Sequence, residues 1–238
     1  MINNERITAY IHSLETPGSE LCESIRKAAL ADEVPIIRPE TASLLTFFIQ
    51  LNRPAKILEV GTAVGYSALL MCEVMPKGTT ITTIEKYEPR IKQAKINFAK
   101  AERGSDITLL EGDAAEILKE LDDSFDLIFM DAAKGQYIHF LPDVLRLLKT
   151  GGMIFSDNVL QDGDVLESRF AVTRRNRTIH SRMREYLYLL KHTEGLATSI
   201  IPIGDGVAVT VKTFAFRKIT CEKSTGEETS QMESGNNE

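Results

Sequence analysis

Five short runs rich in apolar and β-branched residues alternate with stretches of helical spacing: Lys56–Val60, Thr80–Glu85, Ile107–Glu111, Leu127–Asp131 and Met153–Asp157. This alternation leaves few architectures open. Parallel strands cannot be joined by a tight turn, so each crossover carries a helix back over the sheet with right-handed sense. The pattern predicts an α/β fold with a mostly parallel sheet, helices between the strands and functional groups at the carboxyl ends of the strands. Two further runs, Thr198–Ile203 and Val207–Lys212, flank Gly204-Asp205-Gly206 and read as a terminal antiparallel hairpin, which brings the expected strands to seven. Such a hairpin is unusual for a nicotinamide-binding domain.

The flanks are less regular. Ile7, Tyr10, Ile11 and Leu14, then Leu44, Leu45, Phe48 and Ile49, recur at helical spacing, so residues 1–53 are expected to form an N-terminal helical cap within the same domain. The core is expected over 54–217, a size that one domain can occupy. From Glu222 to Glu238 the chain holds five Glu against one Lys and few apolar residues, so 218–238 is expected to be a disordered acidic tail. The formal net charge is −6, yet Arg174, Arg175, Arg177, Arg182 and Arg184 crowd together on an expected helix that begins near Arg174. That cluster can face phosphate. No apolar run approaches the roughly 20 residues that span a bilayer, and the polar start lacks a secretory pattern. Cys22, Cys72 and Cys221 are scattered and odd in number, which fits a reducing cytoplasm.

The first strand runs into Gly61-Thr62-Ala63-Val64-Gly65-Tyr66-Ser67. Gly61 lets the backbone turn sharply beside a ligand, and Gly65 clears the start of the next helix. The spacing departs from the Gly-x-Gly-x-x-Gly fingerprint, and Glu59 places a carboxylate where a pyrophosphate would be repelled, so a zwitterionic ligand fits better. Glu85 ends the second strand, where an acid can accept hydrogen bonds from both ribose hydroxyls. Asp113 follows the third strand; its carboxylate or a nearby backbone group, as at Ala114, can reach an adenine amino group. Alone, each is an ordinary turn glycine or strand-end acid; their order carries the reading.

The fourth and fifth strands end in Asp131-Ala132-Ala133-Lys134 and Asp157-Asn158. Asp131, Asp157 and the Asn158 amide oxygen can bind Mg²⁺ on one side and leave positions for water and two acceptor oxygens. Lys134 is the candidate general base, since a nearby divalent cation acidifies a hydroxyl and disfavours an ammonium. The four histidines show no ligand spacing.

Taken together, Glu59-Val60-Gly61 through Gly65-Tyr66-Ser67, Glu85, Asp131-Ala132-Ala133-Lys134 and Asp157-Asn158 resemble the metal-dependent O-methyltransferases that include the catechol and caffeoyl-CoA enzymes. The resemblance covers roughly Val34 to Lys212. It implies a Rossmann-like class I methyltransferase with seven strands, S-adenosylmethionine (SAM) and a divalent cation, and a homodimer as in bacterial members. By the same resemblance Glu59, Gly61, Ser67, Glu85, Asp113 and Asp131, with the backbone near Ile37, match SAM-site positions; Asp131, Asp157 and Asn158 match the metal ligands. Within the family, the sequence is similar to bacterial tRNA 5-hydroxyuridine methyltransferases. The implied acceptor is then 5-hydroxyuridine at the tRNA wobble position, whose C5 hydroxyl and C4 carbonyl mimic a catechol's paired oxygens. Arg174, Arg175 and Arg177 would contact anticodon-stem phosphates. The alternative acceptor is a small catechol-like molecule, although Ala132 stands where animal catechol enzymes carry His.

Overall fold

The structure, a computed structural model, describes residues 5–168 and 170–213. The expected tail, Cys221 and the end of the expected core lie outside the described residues. Three N-terminal helices, α1 (Glu5–Leu14), α2 (Glu20–Ala31) and α3 (Pro39–Asn52), precede β1 (Lys56–Val60). Then follow α4 (Tyr66–Val74), β2 (Thr80–Glu85), α5 (Glu88–Lys100), β3 (Ile107–Glu111), α6 (Ala114–Glu120) and β4 (Phe125–Met130). The chain continues through α7 (Tyr137–Leu147), β5 (Leu148–Ser156), α8 (Arg177–His192), β6 (Leu196–Ile201) and β7 (Val207–Lys212).

One seven-stranded sheet has the order β3-β2-β1-β4-β5-β7-β6. The first five strands are parallel; β7 runs antiparallel to both β5 and β6. The chain leaves β1 outward through β2 and β3 and returns on the other side of β1 as β4. The strand order reverses there, and such a switch point opens a crevice at the carboxyl edge.

The sheet divides two cores. One face packs Leu45, Ile49, Leu69, Met71 and Phe98 of α3, α4 and α5 against Ile57, Ile81, Leu127 and Phe155. The other packs Leu118, Phe140, Val144, Met183 and Leu190 of α6, α7 and α8 against Leu58, Ile84, Ile128 and Ile154. Burial on both faces explains why the central strands read as apolar runs rather than as alternating ones. The cap holds through α2 and α3, which bury Cys22, Ile25, Ala29, Ala42, Leu45 and Ile49. By contrast α1 buries none of its residues and is pinned by a His12 to Glu40 contact of 2.7 Å.

Several boundaries differ from the sequence expectation. β4 and β5 end at Met130 and Ser156, so Asp131 and Asp157 are the first residues beyond the strands. β5 begins at Leu148, five residues before the expected Met153, and runs through Gly151-Gly152; a Cβ at Gly152 would lie 2.8 Å from the Lys149 carbonyl oxygen, and the pairing with β4 shifts register nearby. β6 lies two residues earlier than expected, at Leu196–Ile201. α8 starts at Arg177 rather than near Arg174, because a turn closed by Asn176 N–H on the Thr173 carbonyl precedes it. Among the described residues no helix is long and apolar enough to cross a membrane.

Candidate active site

The loop after β1 is built by what its glycines exclude. Gly61 has φ +110, and a Cβ there would collide with the Asp131 carbonyl; Gly65 has φ +81, and its Cβ would lie 2.5 Å from the Phe98 ring. The Gly61 and Thr62 amides both donate to the Ile84 carbonyl at 3.1 Å, tying the loop to β2. Glu85 continues the tie: its Oε2 accepts from the Ala63 amide at 2.9 Å, and its Oε1 accepts from the amides of Lys86 and Tyr87, each at 2.9 Å. Three backbone donors therefore already hold a carboxylate with about four lone-pair sites. Glu85 both lines the cavity and holds the glycine loop.

Glu59 sits behind that loop rather than in it. It is fully buried and accepts hydrogen bonds of 2.5 Å from the Ser67 and Thr83 hydroxyls, with Thr62 bonded in turn to Thr83. Burial pushes its carboxyl up to about 8, against the lowering effect of those hydroxyls. Neither Glu59 nor Ser67 lines the cavity. Ile37 is also buried, while its neighbours Ile36 and Arg38 form part of the wall. Asp113 caps α6: Oδ1 accepts from the Ala115 amide at 2.9 Å and Oδ2 lies 3.2 Å from Lys86 Nζ. Both hold its carboxyl below the usual range, the amide more strongly.

These elements enclose a cavity of about 700 Å³ along the carboxyl edge. Gly61, Ala63, Glu85, Asp113 and Ala114 line it, and Asp131, Lys134, Asn158, Asp162 and Asp205 belong to the same wall. The structure thus brings Gly61, Glu85, Asp113 and Ala114 of the first sequence-predicted group and Asp131, Lys134 and Asn158 of the second into one cleft, whereas Asp157 is buried and is not part of the lining. Register does this: Val60 pairs with Met130 and Met130 with Ser156, so the next residues, Asp131 and Asp157, emerge side by side. Their amides extend the ladder, Asp131 N–H to the Val60 carbonyl and Asp157 N–H to the Met130 carbonyl, both at 3.0 Å.

Asp131 and Asp157 both have carboxyls raised above the usual range, first by burial; Lys134 opposes the shift at each, and Asp131 adds to the rise at Asp157. Asp157 is buried and accepts from the Asn158 amide at 2.7 Å, and Asn158 takes a left-handed φ of 57°. Beneath the pair, the fully buried Tyr137 hydroxyl bridges the Met130 and Asp157 carbonyls at 2.9 and 3.2 Å, clamping the two strand ends together. Two like-charged carboxylates at adjacent buried strand ends, with a neighbouring amide, suit a hard cation, which would relieve their repulsion. No group of three His, Cys, Asp or Glu side chains suited to a metal is found among the described residues.

Several cavity residues carry no signal in the sequence, Asp205, Arg38 and Asp162 among them. Asp205, read only as a hairpin turn, lies 3.2 Å from Lys134 Nζ, and Arg38 lies 3.2 Å from Asp162. No local signal marks either; pairing of β7 beside β5 is what delivers the hairpin tip to the carboxyl edge. The arginines divide. Arg174 and Arg175 are exposed, whereas the half-buried Arg177 donates to the Val172 carbonyl at 3.3 Å. None of these three lines the cavity. Arg182 donates to the Gly135 carbonyl at 3.0 Å and Arg184 to that of Val165 at 3.4 Å, so both support loops.

A sequence profile described as O-methyltransferase matches residues 12–213. The chain belongs to the O-methyltransferase family. A catechol O-methyltransferase of Niastella koreensis is 35% identical over 136 residues, 55% of this chain and 61% of that protein. A Mycobacterium marinum protein provisionally named an O-methyltransferase is 30% identical over 213 residues, 86% of this chain and 92% of its own. Among solved structures, a Staphylococcus aureus protein provisionally named a caffeoyl-CoA O-methyltransferase superposes with a TM-score of 0.77 at 33% identity, over 87% of this chain and 96% of that one. The S-adenosylhomocysteine-bound methyltransferase PaMTH1 of Podospora anserina gives 0.80 at 25% identity, over 88% and 95%. The seven-stranded sheet of this O-methyltransferase is therefore the family's own.

Proposed function

We propose that this family member transfers a methyl group from SAM to a hydroxyl beside a divalent cation, Mg²⁺ or a similar ion, in the cleft between the glycine loop and Asp131. The observation that carries the reading is that Asp131, Lys134 and Asn158 line one cavity with Glu85 and Asp113, with Asp157 buried at the adjacent strand end. Glu85 and the Asp113-Ala114 turn provide acceptors and a backbone amide toward ribose and adenine, and the turn at Gly61 admits the amino-acid end close to the backbone. Asp131, Asp157 and Asn158 would hold the cation, which supplies charge that eases loss of the acceptor's proton.

In the transfer, the acceptor oxygen takes the methyl carbon while the electron pair of the broken C–S bond stays on sulfur. S-adenosylhomocysteine leaves as a neutral thioether, and the Lys134 amine takes the hydroxyl proton. No covalent enzyme intermediate is needed; alignment of oxygen with the methyl group supplies most of the benefit.

We further propose 5-hydroxyuridine at the tRNA wobble position as the acceptor, through the anticodon region. Exposed Arg174 and Arg175 support it, as does Ala132 beside the cation site. The name of the Niastella relative favours a second reading, a small catechol. Partnering as a homodimer is supported by exposed Ile7, Tyr10, Ile11 and Leu14 on α1 with Phe47 and Leu51 on α3. A cytoplasmic setting is supported by the free, buried thiols of Cys22 and Cys72. The deciding experiment compares methyl transfer to tRNA carrying 5-hydroxyuridine and to simple catechols, with and without chelator. Activity on catechols alone rejects the tRNA acceptor, and chelator-resistant activity rejects the cation.

A further inference from the structure

We infer that Asp205, at the tip of the β6-β7 hairpin, is the positioning residue that aims the Lys134 amine at the acceptor end of the cleft. The inference rests on the proposed site of methyl transfer and goes beyond it by assigning a residue that neither the sequence motifs nor the strand ends supply.

Asp205 is held from several directions. Its side chain is only 3% exposed although it reaches the cavity wall. One carboxylate oxygen, Oδ2, accepts from Lys134 Nζ at 3.2 Å, and the other, Oδ1, accepts from the backbone amide of Asp162. The Asp205 carbonyl accepts from the Leu160 amide at 3.0 Å, and the Gly206 carbonyl from the Val159 amide at 2.9 Å. The glycines on either side take φ of +56 and +84. A Cβ at Gly204 would lie 2.6 Å from Thr41 Oγ1, and one at Gly206 would collide with Leu160. The hairpin tip is therefore wedged between the start of α3 and the loop that carries Asn158.

Lys134 has the opposite character. It begins a short 3-10 turn, Lys134–Gln136, and its side chain is 34% exposed on a flexible stem. Among the described residues Asp205 is the one hydrogen-bonded partner of the Lys134 amine. A rigid, buried anion gripping a flexible amine narrows the directions in which that amine points. The same carboxylate, through Asp162, fixes the loop facing it, so base and loop share one anchor.

The test separates positioning from loop support. Asp205→Asn can keep an acceptor toward the Asp162 amide while turning an N–H donor toward Lys134. Methyl transfer is measured with saturating SAM to a 5-hydroxyuridine tRNA or to catechol, whichever the unchanged enzyme methylates. We expect D205N to lower kcat by about tenfold or more, with acceptor KM and S-adenosylhomocysteine affinity altered by less than about twofold. In a Lys134→Met background, D205N should change kcat by less than about twofold, because the effect passes through the missing amine. An unchanged kcat in D205N, or an equal loss in both backgrounds, overturns the inference.

A second measurement needs neither a folded D205N protein nor an acceptor. Relaxation of the Lys134 Cε carbon in the unchanged, ¹³C-lysine-labelled protein should show an immobilised side chain. Mobility equal to that of Lys92, whose side chain is 72% exposed, overturns the inference. If the unchanged enzyme methylates neither probe, the acceptor proposal fails while this measurement still judges Asp205.

Discussion

Glu59→Gln isolates the electrostatic cost built into the floor of the cofactor loop. Glu59 is fully buried, and its carboxyl is pushed from 4.5 up to about 8, chiefly by loss of solvent. In the unfolded chain it ionises near the ordinary value; in the fold it stays protonated until much higher pH. The folded form therefore binds the extra proton between these values, and its stabilising contribution is full below about pH 4.5 and falls as pH rises through 8. At about 1.4 kcal/mol per unit, the complete rise corresponds to about 5 kcal/mol. That is a large share of the roughly 5–15 kcal/mol that a domain has in total.

Glutamine has nearly the same shape and no titration. Its amide can donate to the Thr83 or Ser67 hydroxyl while its carbonyl accepts from the other, because hydroxyls rotate to suit. Near pH 5 we expect the variant to match the unchanged protein within about 1 kcal/mol. By pH 9 it should be more stable by several kcal/mol. Urea unfolding of the ligand-free protein at pH 5, 7 and 9 measures the difference, and all titrations common to both proteins cancel from it. A stability difference that stays flat across this range refutes the burial argument, and one that shrinks with pH reverses its sign.

Gly61→Ala forces a Cβ into the Asp131 carbonyl at positive φ; we expect a loss of about 2–4 kcal/mol in unfolding experiments and weakened S-adenosylhomocysteine binding by calorimetry. Tyr137→Phe removes the clamp across Met130 and Asp157, and should cost about 1–3 kcal/mol while lowering methyl transfer; unchanged stability would show that the clamp is idle. Asp157→Asn should cut activity and raise the concentration of Mg²⁺ needed for half-maximal rate. Charge reversal at both Arg174 and Arg175 should weaken tRNA methylation and flatten its salt dependence, with cofactor affinity untouched; unaltered tRNA kinetics would discard their role.

Strand and helix alternation, the two glycines and the acids at strand ends were legible in the sequence because they follow local rules. Buried parallel strands read as apolar runs, and a chain that must turn at the end of β1 needs a residue without a side chain. So the α/β class, the hairpin and acids at the ends of successive strands are properties of the sequence itself. What those residues do for one another was not legible. That Glu85 spends three lone pairs on backbone amides, that Glu59 and Ser67 lie behind the loop, and that Arg177, Arg182 and Arg184 support backbone carbonyls all depend on which groups the register brings within hydrogen-bond reach.

Asp205 marks the boundary most clearly. In sequence it stands 71 residues from Lys134, in a turn whose composition says only that the chain reverses. Antiparallel pairing of β7 with β5 carries it to the carboxyl edge, and steric closure around Gly204 and Gly206 holds it there. Local chemistry chose the kinds of side chain available to the site; long-range strand order decided which of them meet.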